Sequence, residues 1–189
     1  MSLANVLLDQ LGDNGLASLG QALGSNPEAT KTAASAALPL LISALAKNAS
    51  TNDGAAALDA ALERDHDGSI LDSLGAGFSQ KMMDDGNGIL KHVLGGRRAT
   101  AEQGLAQASG LDQQQSAKML ATLAPLVMGA LGKQKRSEGL DAGALAGMLA
   151  GERGQSRNQL GGLAALIDQD GDGSVADDLL GGIGKLFGR

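Results

Sequence analysis

At 189 residues the chain suits one domain of ordinary size or two small ones, and its formal net charge of -6 argues against a general affinity for nucleic acid. Two Phe, no Trp, no Tyr and no Cys leave a core of Leu, Ala, Ile, Val and Met, and remove disulfides, thiolate metal sites and a cysteine nucleophile together. The opening MSLANVLLDQLGDNG has no basic stretch and no long apolar run, so no secretory signal is expected and a cytoplasmic location is the default expectation.

Leu3, Val6, Leu7 and Leu11 fall at helical spacing, and Asp13-Asn14-Gly15 supplies a turn to close that first helix. Leu16 to Leu23 continues as a second helix ended by Gly24. Asn26-Pro27-Glu28 then starts a long helix through Ala36 to Lys47, the most apolar run of the chain, with Pro39 predicting a kink or a break. Its apolar core of about a dozen residues is too short to span a bilayer. A polar loop, Asn48 to Gly54, leads to a fourth helix carrying Leu58 and Leu62 and ending at Arg64. The acidic turn Asp65 to Ser69 follows, and then a glycine-broken helix from Ile70 to Met83.

The second half repeats this order. Leu19 to Lys47 placed on Leu105 to Lys133, a constant offset of 86, gives nine identities in 29 positions, Pro39 on Pro125 among them. The expected fold is therefore all-α, an internally duplicated helical bundle of two repeats, 1–83 and 84–189, packed as one compact unit. Asp84 to Gly88 (DDGNG) is the expected boundary because turn formers are densest there. Beyond it come a short helix with Ile89, Leu90, Val93 and Leu94, a helix from Arg97 to Ser109, and the Pro125 helix, started by Asp112 with Gln115 three residues on. The acidic turn recurs as Asp168 to Ser174 at an offset of 105. This places about 19 extra residues near 134–159, read as a mobile polar loop with one short helix around Leu145 to Leu149.

That turn carries the only recognisable site chemistry. Asp168, Asp170 and Asp172 alternate as at positions one, three and five of a calcium loop, Gly173 stands at six, and the Ser174 carbonyl would supply the seventh-position oxygen. Position twelve, where such loops place a bidentate Glu, is Leu179; Asp177 and Asp178 fall at ten and eleven, so Asp178 is the nearest substitute and any affinity should be weak. The first copy thins to Glu63, Asp65, Asp67, Gly68, Ser69 and Ile70, with His66 where the second has Gly171. Helix capping explains part of the pattern without a metal, since Ser69 with Asp72 and Ser174 with Asp177 both fit a capping box. It gives no reason for three alternating carboxylates.

Two basic clusters, Lys91, His92, Arg97 and Arg98, and Lys133, Lys135 and Arg136, follow apolar helices and read as solvated helix ends favoured by the helix dipole. His66 and His92, the only histidines, have no nucleophile or carboxylate placed in a catalytic pattern, and no glycine run has the lysine-serine ending of a phosphate loop. No enzyme is expected.

The strings ALPLLISALAKNAS, DHDGSILDSLG, GILKHVLGGRR, LAPLVMGALGKQKR and DQDGDGSVADDLLGG resemble the YidB-like bacterial proteins of domain-of-unknown-function family 937. The resemblance covers nearly the whole chain. It implies a small all-helical bacterial protein with a homeodomain-like arrangement of helices, and brings no activity and no site residues. Three functions follow as expectations. The first is a non-enzymatic scaffold or interaction module with an unknown protein partner and calcium as a weak cofactor. The second, by fold analogy, is a DNA-binding module using Lys91, Arg97, Arg98, Lys133, Lys135 and Arg136. The third is an apolar-ligand or peptide binder.

Overall fold

The computed structural model describes residues 2–159, and these form seven α-helices and two 3-10 segments, with no strand among the described residues. The Ser2 hydroxyl accepts from the Asn5 amide and starts α1, Leu3–Leu23. Its dihedrals break once, at Gly12 (φ 55°, ψ -174°), so the chain bends one residue before the turn expected at Asp13 to Gly15 and resumes as helix inside it. Leu3, Leu7 and Leu11 are buried, whereas Val6, read as part of the same stripe, is 38% exposed.

Asn26 accepts from the Ala29 amide at 2.8 Å to start α2, Pro27–Asn48. Thr51 caps α3, Asn52–Asp65, through the Gly54 amide. A 3-10 segment, Ser69–Ala76, stands where a longer helix was expected, and Ser79 caps α4, Gln80–Val93. After the 3-10 turn Gly95–Arg97 come α5, Arg98–Ser109, and α6, Gln113–Glu138. The capping box of α6 is complete: the Gln115 amide donates to Asp112 Oδ1 at 2.7 Å, and Gln115 Oε1 accepts from the Asp112 amide at 3.0 Å. Asp141 Oδ1 accepts from the Ala144 amide at the start of α7, Ala142–Gln159.

The two proline helices form the centre. α2 packs on α1, α5, α6 and α7, while α6 packs on α4, α5, α1 and α3. Every residue of α6 from Met119 to Gly132 is buried, as an apolar run without a polar face requires. Of the kink or break expected at a helical proline, the break does not occur: both helices continue through Pro39 and Pro125. Each proline removes one backbone donor and costs about 3 kcal/mol in an isolated helix. Burial on all sides offsets that cost. Among the described residues α2 reaches the length and hydropathy of a membrane-crossing helix, longer than its apolar core suggested, but 56% of that window is buried inside the bundle. This is the signature of a core helix.

Two expectations fail in instructive ways. Asp84 to Gly88 is no turn but the middle of α4. Its acids are used on the helix surface, Asp84 accepting from Gln80 Nε2 at 3.0 Å and Asp85 from Lys81 Nζ at 2.8 Å, and Gly86 is buried against α6. The stretch near 134–159 is not a mobile loop either. α6 extends four residues past Gln134, and α7 is a full helix whose Leu145 and Leu149, four apart, are completely buried where it packs on α2 and α3.

Candidate functional site

The candidate calcium ligands Asp168, Asp170, Asp172, Ser174 and Asp178 lie outside the described residues. The first acidic turn lies within them, and its surroundings show what this fold does with such a sequence. α3 ends at Asp65 with His66 as its cap, the chain turns through Gly68 (φ 91°), and the turn presses on the C-terminal half of α6. A Cβ built on Gly132 would fall 1.8 Å from the His66 carbonyl oxygen, so the two backbones touch only because residue 132 has no side chain. Arg136 Nη2 donates to the same carbonyl at 3.0 Å, and Ile70 covers Gly129.

The carboxylates of this turn do not converge. Asp65 is paired with its neighbour Arg64 at 2.6 Å, Asp67 accepts from the Ser69 amide at 2.9 Å and from the Ser69 hydroxyl, and Glu63 accepts from Lys135 Nζ at 2.6 Å. The Ser69–Asp72 capping box is absent. Gly68 holds the cap position and Asp67 receives the amide instead. Hydrogen bonds from Ser69 hold the Asp67 carboxyl below the usual carboxylate range, and that from Arg64 does the same for Asp65. Burial pushes His66 below its ordinary pKa, with Asp65 and Asp85 pulling the other way. Among the described residues no group of three or more His, Asp or Glu could hold a metal ion.

Lys135 is the residue that sequence reasoning misplaced most. Counted among the solvated cations, it is buried, 2.6 Å from Glu63 and 2.9 Å from Asp59, two carboxylates one helical turn apart on α3. The Asp59 oxygen has no other hydrogen-bond partner, so its charge rests on this ion pair. The pattern was available in outline, since Lys135 lies three residues from Gly132 on the buried face while Asp59 and Glu63 are four apart. The hydrogen bond to Glu63, followed by that to Asp59, raises the lysine pKa above its ordinary value; the bond from Lys135 lowers that of Glu63. The signs give a plateau. The lysine contribution is complete below the usual lysine pKa and lost as pH rises through the raised one; the Glu63 contribution is present above the usual Glu pKa and lost as pH falls through the lowered one. Lys135→Met is expected to lower the melting temperature at neutral pH and flatten the fall on either side, and adding Asp59→Leu should recover most of the loss. A pH series of thermal melts on the three proteins checks this; an unchanged melting temperature for Lys135→Met would contradict the buried pair.

The remaining cations divide. Arg98 Nε bonds Glu102 at 2.6 Å and its Nη2 reaches Asn87 at 2.7 Å, tying α5 to α4, and Arg136 holds the acidic turn. Lys91 and Lys133 are exposed and Arg97 is half-buried. His92 ends α4, its Nδ1 2.9 Å from the Gly88 carbonyl. The six cations considered for DNA are thus split between structural contacts and separate surface positions.

A cleft of about 790 Å³ opens on another side, between the α2–α3 corner and α7. Its walls are nearly all Ala, Gly, Ser and Thr, from Ala46 to Ala55 on one side and Ala142 to Gly154 on the other, with Arg153 at the rim.

A small all-helical bundle built round two buried proline helices, with an acidic turn docked on one of them, is the class these features define. The chain matches the family described as "Bacterial protein of unknown function (DUF937)" over residues 5–134, and it belongs to that family. The YidB-like likeness of its motifs agrees with this membership. No curated protein and no solved structure matches it.

Proposed function

We propose that the chain is a non-enzymatic helical scaffold, built by internal duplication, whose second acidic turn takes up calcium weakly. The duplication reading is supported by matched geometry at the offset of 86: Gly24 and Gly110 both end helices with φ near +70° (66° and 74°), Asn26 and Asp112 both cap, and Pro39 and Pro125 both sit inside a buried helix.

One observation carries the calcium reading, the way the first turn is neutralised. Its carboxylates are balanced by Arg64 and Lys135, and its backbone by Arg136. The sequence counterparts of all three cations are uncharged: Gln169 matches Arg64, and Ala49 and Ser50, just past α2, match Lys135 and Arg136. The sequence thus puts no cation at the positions that match those of the first turn, while keeping carboxylates alternating at Asp168, Asp170 and Asp172, and a hard cation is the charge that alternating carboxylates accommodate. The engagement of Lys135, Arg98 and Arg136 in ion pairs and hydrogen bonds also weighs for a scaffold over the nucleic-acid alternative.

Calorimetry on chelator-stripped full chain tests this. Calcium heat with a Kd of about 10⁻⁴ to 10⁻³ M, as expected without a twelfth-position Glu, should vanish in Asp170→Asn/Asp172→Asn. No heat up to millimolar calcium, with the melting temperature also unmoved, would sink the calcium reading.

A further inference from the structure

We infer that α7 is a hinged strap, which opens as a unit about Leu140 while the rest of the bundle stays folded and so uncovers the apolar flank of α2. This goes beyond the scaffold reading and does not depend on calcium. Helix α7 is held at few points. Leu145 and Leu149 are its only fully covered side chains among the described residues, whereas α6 is buried without interruption from Met119 to Gly132. Glu152 adds one bond, its carboxylate accepting from the Leu3 amide at 2.8 Å. Beside these contacts the small face of α7, with Ala142, Ala146 and Ala150, leaves a cleft of about 790 Å³ against Ala46, Ala49 and Ala55. A helix that fills its seat only in part gains little dispersion energy from staying there, and elements with few buried contacts open first.

The glycines of α7 point the same way. In α6, a Cβ on Gly129 would press on Ile70 at 2.5 Å and one on Gly132 on the His66 carbonyl oxygen at 1.8 Å, so close packing requires glycine there. In α7, Gly143, Gly147, Gly151 and Gly154 are all exposed. A Cβ on the last three meets nothing within 4 Å among the described residues, and one on Gly143 meets only Asp141 at 3.4 Å. No close approach to the bundle calls for these glycines, yet each lowers helix formation about four- to fivefold relative to alanine. They weaken α7 and leave the packing of α2 and α6 untouched. The joint is equally defined. The Gly139 and Leu140 amides both bond the Lys135 carbonyl and close α6, while Asp141 accepts from the Ala144 amide and caps α7. Rotation at Leu140 therefore leaves both caps intact. The flank uncovered belongs to α2, whose length and hydropathy match a membrane-crossing segment, so the open form offers apolar surface that the closed form hides.

Hydrogen exchange on the full chain at neutral pH tests the strap. Amides from Leu145 to Arg153 should exchange as one set, about a hundredfold or more faster than those of Leu120, Leu123 and Leu126 in α6. The Leu3 amide reports from the other side of the contact. Its acceptor is Glu152, so it should exchange at the α7 rate while Leu7 and Leu11 of the same helix stay protected. Gly147→Ala/Gly151→Ala should slow the α7 set and Leu3 together by about twentyfold and leave α5 unmoved. Leu145→Ala/Leu149→Ala should release α7 outright, keeping slow exchange in α6 and binding a hydrophobic dye several-fold more than the native chain. Four results would each overturn the inference: α7 amides as slow as those of α6, a glycine variant that slows every helix alike or none, a leucine variant that loses α6 protection, or one that binds no extra dye.

Discussion

Gly86→Val is expected to destabilise the bundle severely, while Gly88→Ala, two residues along the same helix, is expected to stabilise it. The two glycines look alike in the string DDGNG, and the difference lies in what faces them. A Cβ on Gly86 would stand 1.7 Å from the Ala121 carbonyl oxygen and 2.7 Å from its carbon, whereas a Cβ on Gly88 meets nothing within 4 Å. Ala121 is the residue whose carbonyl would accept from position 125 in an unbroken helix, and proline there has no N–H to give. The backbone of Gly86 lies against that released carbonyl, so α4 and α6 meet at the point where α6 lacks one hydrogen bond. A side chain at 86 cannot rotate out of a clash with backbone, and separating the helices would uncover Met82, Leu90 and Val93. A cost of about 3 kcal/mol or more follows, a large share of the roughly 5–15 kcal/mol that holds a domain together. At Gly88 the exchange only removes the helix penalty of glycine, a gain of about 0.5–1 kcal/mol. Thermal and denaturant melts of both variants check the pair; a Gly86→Val protein with wild-type stability would mean that α4 does not lie on α6 in this way.

The same stretch shows where the sequence is readable and where it is not. Local chemistry was legible: Asn26 before Pro27, the Asp112–Gln115 box, and Gly24 as a helix end are decided by a few adjacent atoms, and the structure has each in place. The buried character of α6 was legible too, because a run without a polar side has nowhere else to go. What failed depended on a distant partner. Asp84 to Gly88 has the composition of a turn, and only the groove of α6 makes it helix. Polar α7 offers little periodicity beyond Leu145 and Leu149, and is fixed by the surface of α2 and α3 and by Glu152, whose carboxylate accepts from the Leu3 amide at 2.8 Å. Lys135 reads as a surface charge until α3 brings Asp59 and Glu63 to it. Helical class and most helix ends were thus written locally, whereas the contacts of the acidic turn were written in pairs of residues some 70 apart.

Gly132→Ala has a large expected effect of opposite sign to helix propensity. In the middle of a helix this exchange should stabilise by about 0.8–1 kcal/mol. Here the new methyl would stand 1.8 Å from the His66 carbonyl oxygen, so the acidic turn must lift away from α6. Lifting it lengthens the Arg136 bond to that carbonyl, draws Glu63 from Lys135 and uncovers the buried Gly68 contact with Lys133. A net loss of about 2 kcal/mol, or roughly 4–8 °C in melting temperature for a chain of this size, is expected. The loss should be local. Hydrogen exchange at the Ser69 and Leu71 amides, which bond Asp67 and the Gly68 carbonyl, should quicken, while amides in α5 keep their protection. Uniform loss of protection would mean that the turn is part of the global core and not a unit laid upon it. A raised melting temperature with unchanged exchange would mean that the backbone contact at Gly132 is absent.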